Sequence, residues 1–546
     1  MRSRTSISNR QLIIAAVLLY SVIFSSCAGG KQASEVANAN KAADAAPVQP
    51  YATPAMTTTA NTTVDKSQAD YDYESTKGER YAEISENPFL ETVRAPLSTF
   101  SIDVDTASYS NVRRFLNQGS LPPKDAVRIE EMVNYFEYDY PQPAGDLPFS
   151  VNSEVAACPW NAQHKIVQIG LQGKKVSLDN VPPSNLVFLV DVSGSMASPD
   201  KLPLLKQGLK TMVNQLSDKD RVAIVVYAGA SGLALPSVAA DNKGEIIAAL
   251  DKLEAGGSTN GGQGIRLAYQ VAEDNFIANG NNRVILATDG DFNVGLTGDN
   301  ELVSLIEQKR QSNIFLSVLG FGSGNLNDSM MEKLADKGNG NYAYIDSSDE
   351  ARKALGQQVA GTLYTIAKDV KIQVEFNPAK VAGYRLIGYE NRLLADKDFN
   401  DDKKDAGEIG AGHTVTALYE IVPAGQKVEN PGVDELRYSR IEPSETKFNA
   451  ELLTVKLRYK EPDGDDSKLL TIGLLDRDNS FESASENLRF ASAVAGFGMI
   501  LRNSNYKGNA NLGNIWQIAN TSRGNDLKNY RGEFLELVEK ARRMKG

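Results

Sequence analysis

Between residues 185 and 358 the chain alternates apolar runs with stretches of helical length, and few architectures accept that pattern. The runs are LVFLVDV from Leu186, RVAIVVYAG from Arg221, RVILATDG from Arg283 and IFLSVLGFG from Ile314. A strand with water on one face alternates polar and apolar residues, whereas a strand covered on both faces reads as a continuous apolar run. Helices are expected between the runs, at Leu202–Leu216, Lys243–Leu253, Gly262–Asn275 and Asn300–Lys309. Buried strands alternating with helices predict an α/β fold built on a doubly wound sheet. SGLALPSV, directly after the second run, is expected as its edge partner. Sheets of this class bind ligands beyond the carboxyl ends of their strands, so the residues placed there matter most.

The first run ends in Asp191-Val192-Ser193-Gly194-Ser195. A sharp turn at a strand end brings one carboxylate and two hydroxyls to the same side, and Gly194 lets the backbone turn tightly. Two more oxygen donors occupy comparable places: Thr259 in the glycine-rich loop Gly256–Asn260, and Asp289 at the end of the third run. These are hard donors, suited to Mg²⁺, Mn²⁺ or Ca²⁺ rather than zinc. Taken alone, the Asp191–Ser195 turn also reads as a set of capping residues. Thr259 and Asp289 favour the cation reading.

In order and spacing, DxSxS, a threonine in a glycine-rich loop, and TDG after a strand resemble the metal-ion-dependent adhesion site of von Willebrand factor A domains. The resemblance implies that Ser193 and Ser195 bind the metal directly. Thr259 would bind directly or through water, and Asp191 and Asp289 mainly through water. It also implies one coordination position left open for an Asp or Glu carboxylate of a protein partner. The flanks narrow the likeness: Ser98–Tyr140 looks like the N-terminal region of bacterial YfbK-like proteins, and the stretch from Asp398, DFNDDKKDAGEIGAGHTVTALYEIVP, resembles their C-terminal domain.

Outside the central stretch the texture changes twice. From about Pro96 a short strand, a helix carrying Val112, Phe115 and Leu116, and a second helix carrying Val127, Ile129, Met132, Val133 and Phe136 are expected, followed by strands at Val151–Ala157 and Ile166–Leu171. From about Gly361, strand-like runs spaced by turns predict a β-sandwich, and from Ser485 the pattern is helical. The expected division is residues 91–180 as a small α+β module, 181–360 as the central domain and 361–546 as a β-rich plus helical domain. At the start, Arg2, Arg4 and Arg10 precede the apolar run Leu12–Phe24, which reads as a secretory signal. Small residues before Cys27 resemble a bacterial lipoprotein box, which implies cleavage after residue 26 and a lipid on the Cys27 thiol. Ala28 in place of aspartate favours, by that family's sorting rules, an outer-membrane position, with the protein facing the periplasm. Residues 28–90 are poor in large aliphatic side chains and are expected to be a disordered tether.

Composition excludes several functions. The net charge of −11 opposes a nucleic-acid partner. His164 and His413 are the only histidines, which excludes a multi-histidine zinc site and weakens any scheme in which Ser195 acts as a nucleophile. Gly320–Gly324 lacks the third glycine of a dinucleotide loop. Asp103-Val104-Asp105-Thr106 is expected to be a strand-to-helix cap, Asp396–Asp402 a solvated acidic turn, and Cys158 a buried small hydrophobe. Tyr135, Tyr138 and Tyr140 are expected to divide between core and surface. The expected function is therefore a non-enzymatic binding module, anchored to the cell envelope by lipid, whose metal site takes an acidic side chain of a partner. The alternatives are a metal-dependent hydrolase and a scaffold stiffened by its metal.

Overall fold

The computed structural model describes residues 78–176, 181–258, 261–290, 299–404, 406–428, 450–462 and 464–545. Cys27, the signal, most of the tether and Thr259 lie outside the described residues. A six-stranded sheet forms the middle of the molecule, in the order Tyr342–Ile345, Ile314–Phe321, Asn281–Thr288, Ser184–Asp191, Arg221–Tyr227, Ser231–Ala239. All neighbours run parallel except the last strand, the expected edge partner, which pairs antiparallel with Arg221–Tyr227. Successive side chains of Ser184–Asp191 enter opposite cores, as the period of two requires. Leu186, Phe188 and Val190 meet Leu205, Leu209 and Met212 of the helix Leu202–Gln215. Val187 and Leu189 meet Ile265, Ala268 and Tyr269 of the helix Gly261–Asp274. Both faces being dry explains why the runs carry no polar alternation. A helix at Asp328–Lys337 and the strand Tyr342–Ile345 complete the domain.

The two flanks, expected as separate modules, share one β-sandwich. One sheet runs in the order Leu90–Glu91, Val381–Ile387, Thr414–Pro423, Asn161–Gly173, Phe149–Cys158, so strands from before and after the central domain are neighbours. The other runs Gly407–Gly410, Thr365–Phe376, Glu451–Lys460, Ser467–Leu475, with Leu97–Ser101 also paired to Thr365–Phe376. Phe100, Val167, Ile169, Val374, Phe376 and Tyr419 fill the space between them. The early helices Ala107–Asn117 and Ile129–Asn134 likewise lack a core of their own. They share one with Glu486–Arg502 and Tyr530–Lys545, in which Val112, Met132 and Phe136 pack with Phe490, Val494 and Phe534. Tyr135, Tyr138 and Tyr140 are all buried there. The tether also ends earlier than residue 90: Arg80 N–H donates to the Leu326 carbonyl at 2.8 Å, Glu79 pairs with Arg114, and Phe89 is buried. Asn87 adds bonds from its Nδ2 to the Leu386 (3.2 Å) and Gly388 (2.8 Å) carbonyls, and the Ile84 N–H donates to Asp125 at 3.1 Å.

The central domain thus stands as an insertion in the sandwich. Both of its necks meet one turn: Gly412 N–H donates to the Lys174 carbonyl at 3.0 Å, and Ala411 N–H donates to the Tyr364 carbonyl at 2.8 Å. Buried ion pairs join it to the flanks elsewhere. Arg392 reaches Asp103 (3.3 Å), Asp105 (3.2 Å), Glu332 (3.3 Å) and Asp336. Arg128 pairs with Asp328 at 2.7 Å and with Glu131. Asp103 and Asp105 are therefore not helix caps. Thr106 at the cap position makes no side-chain cap, Asp105 instead accepts the Tyr342 N–H at 2.7 Å, and Glu131 accepts the Ser108 N–H at 2.8 Å.

Glu130, beside this network, faces Glu390 and Glu131, and its Oε2 is buried with no hydrogen-bond partner. Burial, then the charge of Glu390, then that of Glu131 push its carboxyl up from 4.5 to about 8, against Arg502. The folded state therefore holds a proton that the unfolded chain releases, and its stabilising effect is complete below pH 4.5 and lost as the pH rises through about 8. Glu130→Gln should raise the melting temperature by several degrees at about pH 9 and change it little at about pH 5. Equal shifts at both values, measured by differential scanning calorimetry, would contradict the buried neutral carboxyl.

Candidate metal centre

Asp191 is the last residue of its strand and is fully buried. Three donors hold its carboxylate: the Ser193 N–H on Oδ1 at 2.8 Å, and the hydroxyls of Thr288 (3.2 Å) and Tyr227 (3.3 Å) on Oδ2. The chain then folds into the short turn Gly194–Ala197, which sets the Ser193 and Ser195 hydroxyls 3.0 Å apart. Ser193 is buried and Ser195 is exposed, so the pair runs from the interior to the surface. Two backbone bonds join this turn to the glycine-rich loop: Gly194 N–H to the Gly257 carbonyl at 3.1 Å, and Gly256 N–H to the Val192 carbonyl at 2.7 Å. Gly257 has φ +87°, a conformation that glycine adopts without strain. Thr259 follows two residues later, outside the described residues.

Asp289 ends the neighbouring strand's run and is also fully buried. Burial alone would raise its carboxyl. Hydrogen bonds from Lys201, Ser195 and Asn325, with the charge of Lys201, outweigh burial and hold it below the usual range. The Lys201 ammonium lies 2.8 Å from Asp289 Oδ2. Asp191 moves the other way: burial raises it, the bonds from Ser193 oppose this, and the negative charge of Asp289 adds to the rise. Asp191, Ser193, Ser195 and Asp289 thus converge beyond the carboxyl ends of adjacent strands, as the strand order requires. Two carboxylates and two hydroxyls, one of them at the surface, fit a hard divalent cation bound by oxygen. Lys201, Tyr227, Thr288 and Asn325 were not singled out from the sequence. Thr288 was legible in principle, since it precedes Asp289 directly.

A second acidic group, Asp105, Glu131 and Glu332, brings its oxygens within 4.8 Å of one another. Arginine already occupies it: Arg392 sits on Asp105 and Glu332, and Arg128 on Glu131. No histidine serves Ser195 as a base among the described contacts. His164 is bound to Glu420 at 2.6 Å within the sandwich, and the His413 carbonyl accepts the Gly173 N–H there. Cys158 is free and buried, as expected.

Comparison with known proteins agrees with this layout. Residues 185–358 match the family described as von Willebrand factor type A domain, and 361–544 match "Uncharacterized protein YfbK, C-terminal". Residues 75–168 match a family described as von Willebrand factor. The chain is 46% identical over 470 residues to the protein YfbK of Escherichia coli (strain K12), covering 85% of this chain and 81% of that one. It is 26% identical over 262 residues to the human inter-alpha-trypsin inhibitor heavy chain H3, covering 44% of this chain and 29% of that one. A solved von Willebrand factor type A protein from Catenulispora acidiphila, 16% identical, aligns over 72% of this chain and 91% of its own with a TM-score of 0.39.

A cation added at about a hundredfold over its Kd should stabilise the protein by about 2.7 kcal/mol. The double substitution Asp191→Ala with Ser193→Ala should abolish that rise in melting temperature. An undiminished rise in a thermal-shift titration with MgCl₂ and MnCl₂ would move the site elsewhere.

Proposed function

The chain belongs to the YfbK family, whose central von Willebrand factor A domain is a protein-interaction module, and on that premise we propose that it is a lipid-anchored envelope protein that grips an acidic side chain of a protein partner through a divalent cation. The observation that carries this reading is the path from buried Asp191 and Ser193 to exposed Ser195. Donors at the inner end hold the ion, and the outer end faces solvent where a partner can approach. Mg²⁺, or Mn²⁺ or Ca²⁺ in its place, supplies a positive field there and keeps an exchangeable water position. The two carboxylates do not leave the site over-neutralised: Asp191 is held by the neutral donors Ser193, Tyr227 and Thr288, and the charge of Asp289 is offset by Lys201. Thr259 supplies the remaining oxygen in this reading.

A hydrolase would need a base beside the ion. Neither histidine is described beside Ser195, His164 being held by Glu420 and His413 lying in the sandwich by Gly173, and this supports the binding reading over a histidine-assisted hydrolase. The scaffold reading is separated by experiment. Binding to a partner captured from envelope extracts should vanish with chelator and fall at least about tenfold, or 1.4 kcal/mol, in Thr259→Ala. Binding that survives both leaves the site a stiffener only. Anchoring is tested separately: a clickable fatty acid should label the wild type and not Cys27→Ser. Equal labelling of the two would remove the membrane from the proposal, while an outer-membrane, periplasm-facing location is checked by fractionation and protease protection.

A further inference from the structure

Lys201 is placed in the site at some cost. It sits at the N-terminal cap of the helix Leu202–Gln215, where the helix dipole disfavours a cation. Its side chain is only 10% exposed, and its ammonium is 2.8 Å from the fully buried Asp289. A dedicated passage brings it there. Gly322, with φ +71°, has no side chain where Lys201 passes: a Cβ would stand 2.1 Å from its Cε, 2.7 Å from Cγ and 2.8 Å from Cδ. The Tyr344 hydroxyl donates to the Gly322 carbonyl at 2.5 Å and holds that backbone in place. A surface lysine seeking a counter-ion needs none of this.

The charge count shows what the passage achieves. Asp191 and Asp289 alone would give a doubly negative site that a dication only neutralises. With Lys201 the site carries one net negative charge when empty and one net positive charge when a dication is bound. We propose that Lys201 is a built-in counter-charge that weakens the site's hold on its cation and strengthens the loaded site's hold on a carboxylate. This rests on the reading of the site as a divalent-cation centre. The lysine then works as a selectivity device: it trades metal affinity for net positive charge at the mouth, which an acidic partner meets and a basic one is repelled by. Its fixed path keeps the ammonium on Asp289.

The test uses the full chain, with Mn²⁺ as the probe and its binding followed by EPR and calorimetry, and acetate titrated against the Mn²⁺-loaded protein. In Lys201→Met the Mn²⁺ Kd should tighten by about tenfold or more, as expected for removing a unit charge a few ångströms away in a partly buried site. Acetate binding should weaken by about threefold or more in the same variant. Lys201→Arg, which keeps the charge, should stay within about threefold of the wild type in Mn²⁺ Kd. Gly322→Ala, which blocks the passage without altering the charge count, gives an independent route and should also tighten Mn²⁺. If the wild type binds Mn²⁺ and neither Lys201→Met nor Gly322→Ala changes the Kd beyond twofold, the proposal is overturned, and so it is if acetate binding is unchanged. If neither wild type nor variant binds Mn²⁺, the cation reading itself fails. Circular dichroism identifies any variant that has not folded, and in that case the remaining variant decides.

Discussion

The buried guanidinium of Arg392 joins the three parts of this chain, as does that of Arg113, which pairs with Asp346 and Glu350 of the central domain and Glu533 of the C-terminal flank. Arg392 comes from the C-terminal flank, pairs with Asp103 and Asp105 of the N-terminal flank, and pairs with Glu332 and Asp336 of the central domain. Burying an arginine is unfavourable unless several acceptors surround it, and removing one partner of such a group typically costs about 3–5 kcal/mol. The arrangement is therefore stable only when all three segments are in place together. Arg128, held by Glu131 of its own helix and by Asp328 of the central domain, repeats the same logic a short way off. Apolar packing would hold the parts together at many relative positions, whereas directional ion pairs select one.

That dependence explains which parts of the fold were legible in the sequence. The doubly wound sheet was, because both its faces are dry and its four inner strands announce themselves as apolar runs, whereas the short edge strand Tyr342–Ile345 does not. The edge strand Ser231–Ala239 was legible from its position after Arg221–Tyr227. The shared sandwich was not. Its strands Asn161–Gly173 and Thr414–Pro423 lie side by side yet are separated along the chain by the whole central domain, and periodicity carries no information about a partner that distant. Asp103 and Asp105 show the same limit: beside a helix start they look like caps, and only the tertiary contact with Arg392 gives them another role.

The site divides in the same way. Asp191, Ser193 and Ser195 were readable because one strand-end turn sets them together, and Asp289 joined them through the resemblance to the adhesion site of von Willebrand factor A domains, its approach to Asp191 coming from the pairing of the two strands. Lys201, Tyr227 and Asn325 act across the fold, and none has a local signature. Tyr227 lies within an apolar run, where an aromatic residue reads as core, although its hydroxyl holds Asp191. Lys201 reads as an ordinary charged residue ahead of a helix, and its access depends on Gly322, more than a hundred residues along the chain.

The turn at Ala411 and Gly412 grips both necks of the inserted domain, through Tyr364 and Lys174. Each neck continues into a strand of a different sheet: Asn161–Gly173 lies between Thr414–Pro423 and Phe149–Cys158, and Thr365–Phe376 is paired on both of its edges. A tug on the mouth of the site therefore does not swing the domain about a single pivot. It divides into tension on two backbone strands, each laced along both edges, so that many ladder bonds share the load at once. In mechanical terms the insertion behaves as a loop of rope made fast at two cleats rather than a flag on one.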